Sequence, residues 1–166
     1  MNAIVLHDSQ FGNTKIIAEV IYNSINNKVS SRLVDLKTIY PESFEMPDLL
    51  IVGAPTQKFN PSEATKVFLN KLPDNILEGK LIAAFDTRIS LAHIDSKMLR
   101  FIVDKGGYAA KKIDKGLQKK GGKSIILPEG FCVKDTEGPL LEEEIAKAKD
   151  WAKRILDIVK KQNPDN

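Results

Sequence analysis

The chain has 166 residues, 42% of them hydrophobic and 28% charged, with a formal net charge of +3. That composition suits a globular domain with a sizeable core and excludes fibrous and low-complexity classes. The longest apolar runs, Leu49 to Val52 and Leu81 to Phe85, fall far short of the ~20 residues a membrane span needs, and the lone Cys132 excludes an intrachain disulfide framework.

The first residues, Met1 to Leu6, open directly into a strand-like run with no basic leader and no cleavage site, so a reducing cytoplasm is the expected compartment. Ala3-Ile4-Val5-Leu6 reads as a central parallel strand covered on both faces. After a turn, Ile16, Ile17, Val20, Ile21 and Ile25 recur at helical spacing. A strand near Arg32 to Leu36 follows, then a loop with Pro41 and Pro47, then a second buried strand, Leu49 to Val52. Asn60-Pro61-Ser62-Glu63 predicts a helix start, with Asn60 as cap, Pro61 first and Glu63 third. Its core face is read as Ala64, Val67, Phe68 and Leu72, with an end at Pro73. Leu81 to Phe85 is the next strand, followed by a long irregular and helical stretch. A helix from about Tyr108 to Lys120 buries Ile113 and Leu117 and exposes lysines. The last strand begins at Ser124 to Leu127, breaks at Pro128-Glu129-Gly130 and resumes at Phe131 to Val133. The final helix, Leu141 to Lys160, has Glu142, Glu143 and Glu144 in its first turn and Lys160 and Lys161 at its end, matching the helix dipole. Residues after Gln162 are expected to fray. Strands alternating with helices predict one doubly wound α/β domain over residues 1–166, with ligands at the carboxyl ends of its strands.

That rule directs attention to three loops: Asp8 to Thr14, Gly53 to Asn60, and Asp86 to His93. Ser9-Gln10-Phe11-Gly12-Asn13-Thr14 joins a buried strand directly to a helix. Two hydroxyls, a turning glycine and free amides at a helix start can cradle a phosphate. No Lys or Arg lies inside the loop, so amide dipoles and hydroxyls would have to meet the anion. The same residues also make a plain strand-to-helix turn capped by Asn13 or Thr14. Asp86 reads equally as an acid or ligand and as a turn cap. His7 and His93 join no ligand cluster, Cys132 and Trp151 read as packing residues, and Gly121-Gly122-Lys123-Ser124 precedes a strand where a P-loop must follow one. The basic charge is local. Lys105 to Lys123 carries seven lysines against Asp114 alone, a charge of +6 that leaves −3 for the rest.

Several of these pieces resemble the flavodoxin family. Ser9 to Thr14 is similar to its [S/T]-x-[S/T]-G-N-T phosphate loop, with Phe11 where a hydroxyl is usual. Flavodoxin domains of flavodiiron proteins and flavodoxin-like quinone reductases resemble this chain in taking an aromatic there. Ile51-Val52-Gly53-Ala54-Pro55-Thr56 is similar to the family's G-[S/T]-P-T, and Phe85-Asp86-Thr87-Arg88 stands after the fourth strand. Gly130 to Leu140 and Ala148 to Ala152 resemble small stand-alone microbial flavodoxin-domain proteins. The resemblance implies a five-stranded parallel sheet of order 2-1-3-4-5 that binds FMN without a covalent bond. The phosphate would sit on Ser9 to Thr14, and the ring between Pro55, Thr56, Gln57, Lys58, Phe59 and Asn60 on one side and Asp86, Thr87, Arg88 and His93 on the other. Phe59 is the expected aromatic cover, with Lys58 and Arg88 adding positive charge.

The implied role is electron transfer between redox proteins. A small FMN-dependent quinone or flavin-type reductase and a flavin-free interaction module are the alternatives. Familiar flavodoxins are acidic and meet basic partners, whereas Lys112, Lys115 and Lys119 would offer a docking face to an acidic one. The same lysines also read as a solvated helix face. A response-regulator receiver, which shares this strand order, needs an acid after strand 3 where Gly53-Ala54-Pro55 stands.

Overall fold

Alternate residues of the first strand point to opposite faces of a sheet, and both faces are buried. The computed structural model that shows this describes residues 1–40, 44–89 and 107–162. The sheet's strands are β1 (Asn2–His7), β2 (Ser30–Asp35), β3 (Leu49–Gln57), β4 (Asn60–Pro61), β5 (Leu81–Ile89), β6 (Lys123–Ser124) and β7 (Glu129–Val133). The α-helices among the described residues are α1 (Asn13–Ile25), α2 (Glu63–Lys71), α3 (Ala109–Lys119) and α4 (Glu144–Gln162). Pairing runs β2-β1-β3-β5-β6, with β7 also parallel to β5 and β4 antiparallel to β3. Because β6 and β7 take successive stretches of the same β5 edge, they form one interrupted fifth position. The five parallel positions therefore follow the expected order.

Ala3 and Val5 join Ile17, Ile21, Trp151 and Ile155 in one core layer, under α1 and α4. Ile4 and Leu6 join Phe68, Ile113 and Leu117 in the other, under α2 and α3. This period-2 split of continuous apolar strands makes the sheet doubly wound. Phe85, Phe131 and Trp151 meet edge to face, with ring centroids 5.9 to 6.3 Å apart. Such pairs add ~0.5–1.5 kcal/mol each beyond their buried area.

Several boundaries differ from the sequence reading, each for a local reason. Ser62, not Asn60, caps α2, its hydroxyl accepting from the Thr65 amide at 3.3 Å. Asn60 and Pro61 instead pair with Gln57 and Thr56. The buried face of α2 is Thr65, Phe68 and Leu69, while Ala64 and Val67 are exposed. Thr65 tolerates burial because its hydroxyl bonds the Ser62 hydroxyl at 2.8 Å. The break in the fifth position falls at residues 125–128, and across it the offset from β5 grows from 42 to 44, a bulge that leaves Leu127 81% exposed. The final helix starts at Glu144, so Glu142 and Glu143 precede it. Cys132 is half-buried rather than core, and burial pushes its thiol above the ordinary cysteine range. No helix among the described residues is long and apolar enough to cross a membrane.

Candidate functional site

The strands β3 and β5 continue beyond their expected ends, to Gln57 and Ile89. Their extensions pair as far as Pro55 with Thr87. Together with the loop after β1 they enclose a cleft of about 320 Å³, within the range of small-ligand sites.

The loop after β1 forms the first wall. Gly12 holds φ at +90°, a left-handed conformation that favours glycine. The turn brings the Ser9 hydroxyl oxygen within 3.1 Å of the Gly12 amide and 3.3 Å of the Lys15 amide, both of which donate to it. The amides of Gln10, Phe11, Asn13 and Thr14 have no acceptor among the described residues, and all four residues line the cleft. Thr14 and Thr87, both buried, join hydroxyls at 2.8 Å, which ties α1 to the end of β5. Asn13 donates its side-chain amide to the Glu137 carbonyl at 2.9 Å. The two nearby lysines already face acids: Lys15 lies 3.9 Å from Glu19, and Lys37 lies 3.8 Å from Asp8. Amides and hydroxyls therefore present a positive partial charge at a helix start, the arrangement that binds anions.

A tight hairpin forms the second wall. Lys58 and Phe59 occupy its turn with φ of 47° and 63°, a conformation usually left to Gly, Asn or Asp. Holding it in two side-chain-bearing residues concentrates strain beside the cleft. Pro55, Thr56, Gln57 and Lys58 line the cleft, and Gln57 donates to the Gln10 side chain at 2.7 Å. Phe59 does not line it; its ring packs 6.3 Å from that of Tyr108. Asn60 faces away as well, its side-chain Oδ1 accepting from Lys112 Nζ at 2.8 Å. Among the described lining residues the only aromatic is Phe11, 45% exposed.

The end of β5 forms the third wall, with Thr87 and Arg88 lining the cleft. Asp86 lies beneath, fully buried, accepting from Arg88 Nε at 2.5 Å and from the Ala110 amide at 2.7 Å. Thr56 Oγ1 accepts from the Ala109 amide at 3.1 Å. Tyr108 gives α3 no side-chain cap, so Thr56 and Asp86 supply its caps from the two central strands. Burial pushes the Asp86 carboxyl above the ordinary carboxylate range, against the opposing pull of Arg88 and the hydrogen bonds. Arg88 stacks its guanidinium 3.7 Å from the Tyr108 ring centre. A Cβ on Gly130 would stand 2.1 Å from that guanidinium, so glycine is what leaves room for it. Arg88 is thus charge-paired, and Lys58 is the nearest cation at this end with no acid within ion-pair distance among the described residues.

The structure therefore brings Ser9, Gln10, Phe11, Asn13, Thr14, Pro55, Thr56, Gln57, Lys58, Thr87 and Arg88 around one space. Gly12, Phe59, Asn60 and Asp86 support the walls from outside it. His93 lies outside the described residues. Ile89, Val133 and Thr136 also line the cleft and were not anticipated. The resemblance in Gly130 to Leu140 was the available signal for the last two.

A family model described as a flavodoxin domain matches residues 4–116, well over half the chain. This chain belongs to the flavodoxin-domain family. It superposes on flavodoxin 1 of Bacillus cereus with a TM-score of 0.74 at 18% identity, covering 95% of this chain and 98% of that one. A flavodoxin from the domain Archaea gives 0.70 at 21% identity, over 96% and 99%. The rubredoxin oxygen:oxidoreductase of the anaerobe Desulfovibrio gigas gives 0.64 at 15% identity, over 98% of this chain and 37% of that one. At these identities the likeness is one of fold. No curated protein matches the sequence.

Proposed function

We propose that this chain binds FMN in the cleft and passes electrons between redox proteins. The observation that carries the reading is the loop between β1 and α1: four residues whose amides have no acceptor among the described residues line a cleft at a helix start. That donor set suits a phosphate group. Family membership supports a flavin as the molecule that carries it.

In this reading the loop amides and the Thr14 hydroxyl hold the phosphate. Phe11, Pro55, Gln57 and Thr87 border the ring, and Lys58 faces it with an uncompensated charge. When bound, the flavin supplies the redox chemistry. The protein's part is to orient it, shield it from water and set the local charge. The partners are redox proteins met through the lysine-bearing side of α3.

The test is direct. Protein purified without added cofactor should be yellow and should release FMN on denaturation, identified by chromatography. FMN added to stripped protein should bind with quenched flavin fluorescence, and riboflavin should bind more weakly. Colourless protein that takes up no FMN would overturn the reading.

A further inference from the structure

The cleft has a neighbour. Across the β3–β4 hairpin, a groove of about 310 Å³ lies between α2 and α3. The two spaces share this hairpin, since Thr56, Gln57 and Lys58 line the cleft while Asn60 and Pro61 line the groove. Lys66 from α2 and Lys112, Lys119 and Lys120 from the side of α3 converge on the groove around Pro61 and Leu69. Gly116 eases this convergence, because a Cβ there would stand 3.1 Å from the Leu69 side chain, which would have to yield by a few tenths of an ångström.

Every charged residue that lines the groove is a lysine. Lys66 pairs with the exposed Glu63, and Lys120 with the exposed Asp74. Among the described residues, Lys112 is held only by the neutral Asn60 and Lys119 meets no acid within 4.0 Å. The one acid of α3, Asp114, is buried and turned to Gln118. The opposite helix is different: α4 intersperses Glu144, Asp150 and Asp157 among its lysines. General solubility would be served by mixed charge on both helices.

We infer that this groove is the docking seat of an acidic redox protein, an inference that rests on the FMN reading above. Carboxylates of such a partner would meet Lys112 and the exposed Lys119 along the groove. A partner seated there touches the far side of the hairpin that borders the cleft. Each encounter then passes one electron from the partner's reduced iron–sulfur centre to the flavin; the partner is oxidised by one electron and the flavin reduced by one. Lys115, singled out in the sequence with Lys112 and Lys119, does not line the groove. Position on α3, and not lysine content alone, defines the seat.

That distinction supplies the experiment. FMN-loaded protein is titrated with an acidic [2Fe–2S] protein and, as control, with a basic cytochrome c, at low and at physiological ionic strength. Two charge reversals on the same helix are compared: Lys112→Glu with Lys119→Glu in the groove, and Lys111→Glu with Lys115→Glu outside it. The groove pair should slow association with the acidic protein by about tenfold or more at low salt, and the outer pair by distinctly less. Lys112→Arg with Lys119→Arg should restore wild-type association, which separates charge from misfolding. Equal losses from both reversals, or equal binding of the acidic and basic probes by wild type, would overturn the inference. FMN titration of the same preparations keeps the two readings apart. Groove failure with FMN bound overturns the docking alone, whereas absent FMN binding overturns the electron-transfer reading.

Discussion

The two ends of the cleft are built on opposite principles. At the β1–α1 loop the chain leaves donors unused: four amides lack acceptors among the described residues, and the nearby lysines face acids. At the end of β5 the chain completes itself. Asp86 satisfies Arg88 and the Ala110 amide, Thr56 satisfies Ala109, and Tyr108 covers the guanidinium. On the proposed FMN reading, the contrast separates a binding wall from a bearing wall. Residues at the first end should report on ligand, and those at the second on stability.

The largest expected effect lies at the self-satisfied end. Asp86→Ala would leave Arg88 without its carboxylate and the Ala110 amide without its acceptor. Removing one partner of a buried pair costs about 3–5 kcal/mol, and Arg88, with 19% of its side chain exposed, places this case near the lower figure. Urea unfolding checks it. The pH dependence gives a second handle. A carboxyl with a raised folded-state pKa binds its proton more tightly when folded, so its contribution is fullest below its unfolded value and declines as pH rises through the folded one. Wild type should therefore lose stability relative to Asp86→Asn as pH climbs from about 4. A flat difference would mean that Arg88 compensates the burial entirely.

At the binding wall the effects should appear in affinity. Thr14→Ala removes a hydroxyl at the helix start and should weaken FMN by about 1–3 kcal/mol, the range for a hydrogen bond to a charged group. Riboflavin, without the phosphate, should bind variant and wild type alike, and fluorescence titration reads both. Equal FMN affinities would take the loop out of the site. Next in size is the aromatic contact. Phe11 lines the cleft and Phe59 does not, so Phe11→Ala should cost about 0.5–1.5 kcal/mol of FMN affinity, and Phe59→Ala less. The reverse order would show that Phe59 turns inward when the cofactor binds.

How much of this could be read from the sequence follows the range of the interactions. The two-faced core was legible, because continuous apolar runs and helical periodicity are local patterns, whereas the strand order came from the family resemblance. The tight strand-to-helix turn of Ser9 to Thr14 was likewise legible as a local pattern, lying within six consecutive residues. The role of Asp86 stayed open between ligand and cap, since what settles it is the Ala110 amide, 24 residues away in sequence. Phe59 stands outside the cleft lining, and nothing in its neighbours announces the left-handed turn that puts it there. Lys58 and Phe59 take that conformation without glycine, which directs the ring toward Tyr108. The start of α2 was read two residues early, because Asn60-Pro61 carries a cap signature that strand pairing overrides.

The smallest expected effect tests whether the binding wall truly works without cations. Where lysines neutralise a phosphate, affinity falls as salt screens exposed charges over a Debye length of about 10 Å at 0.1 M. Here the loop offers amides fixed by the backbone, and hydrogen bonds at contact distance are screened far less. FMN affinity should therefore change by no more than about twofold between low and physiological salt. Lys58 is the remaining exposed cation, and it stands at the other wall. Lys58→Ala should leave this shallow salt slope nearly unchanged while lowering the reduction potential of the bound flavin, since a cation beside the ring favours added electrons. Titrations of wild type and Lys58→Ala across an ionic-strength series, with the potential measured in parallel, separate the two ends. A steep salt slope in wild type that disappears in Lys58→Ala would mean that the phosphate lies against the hairpin and not on the loop.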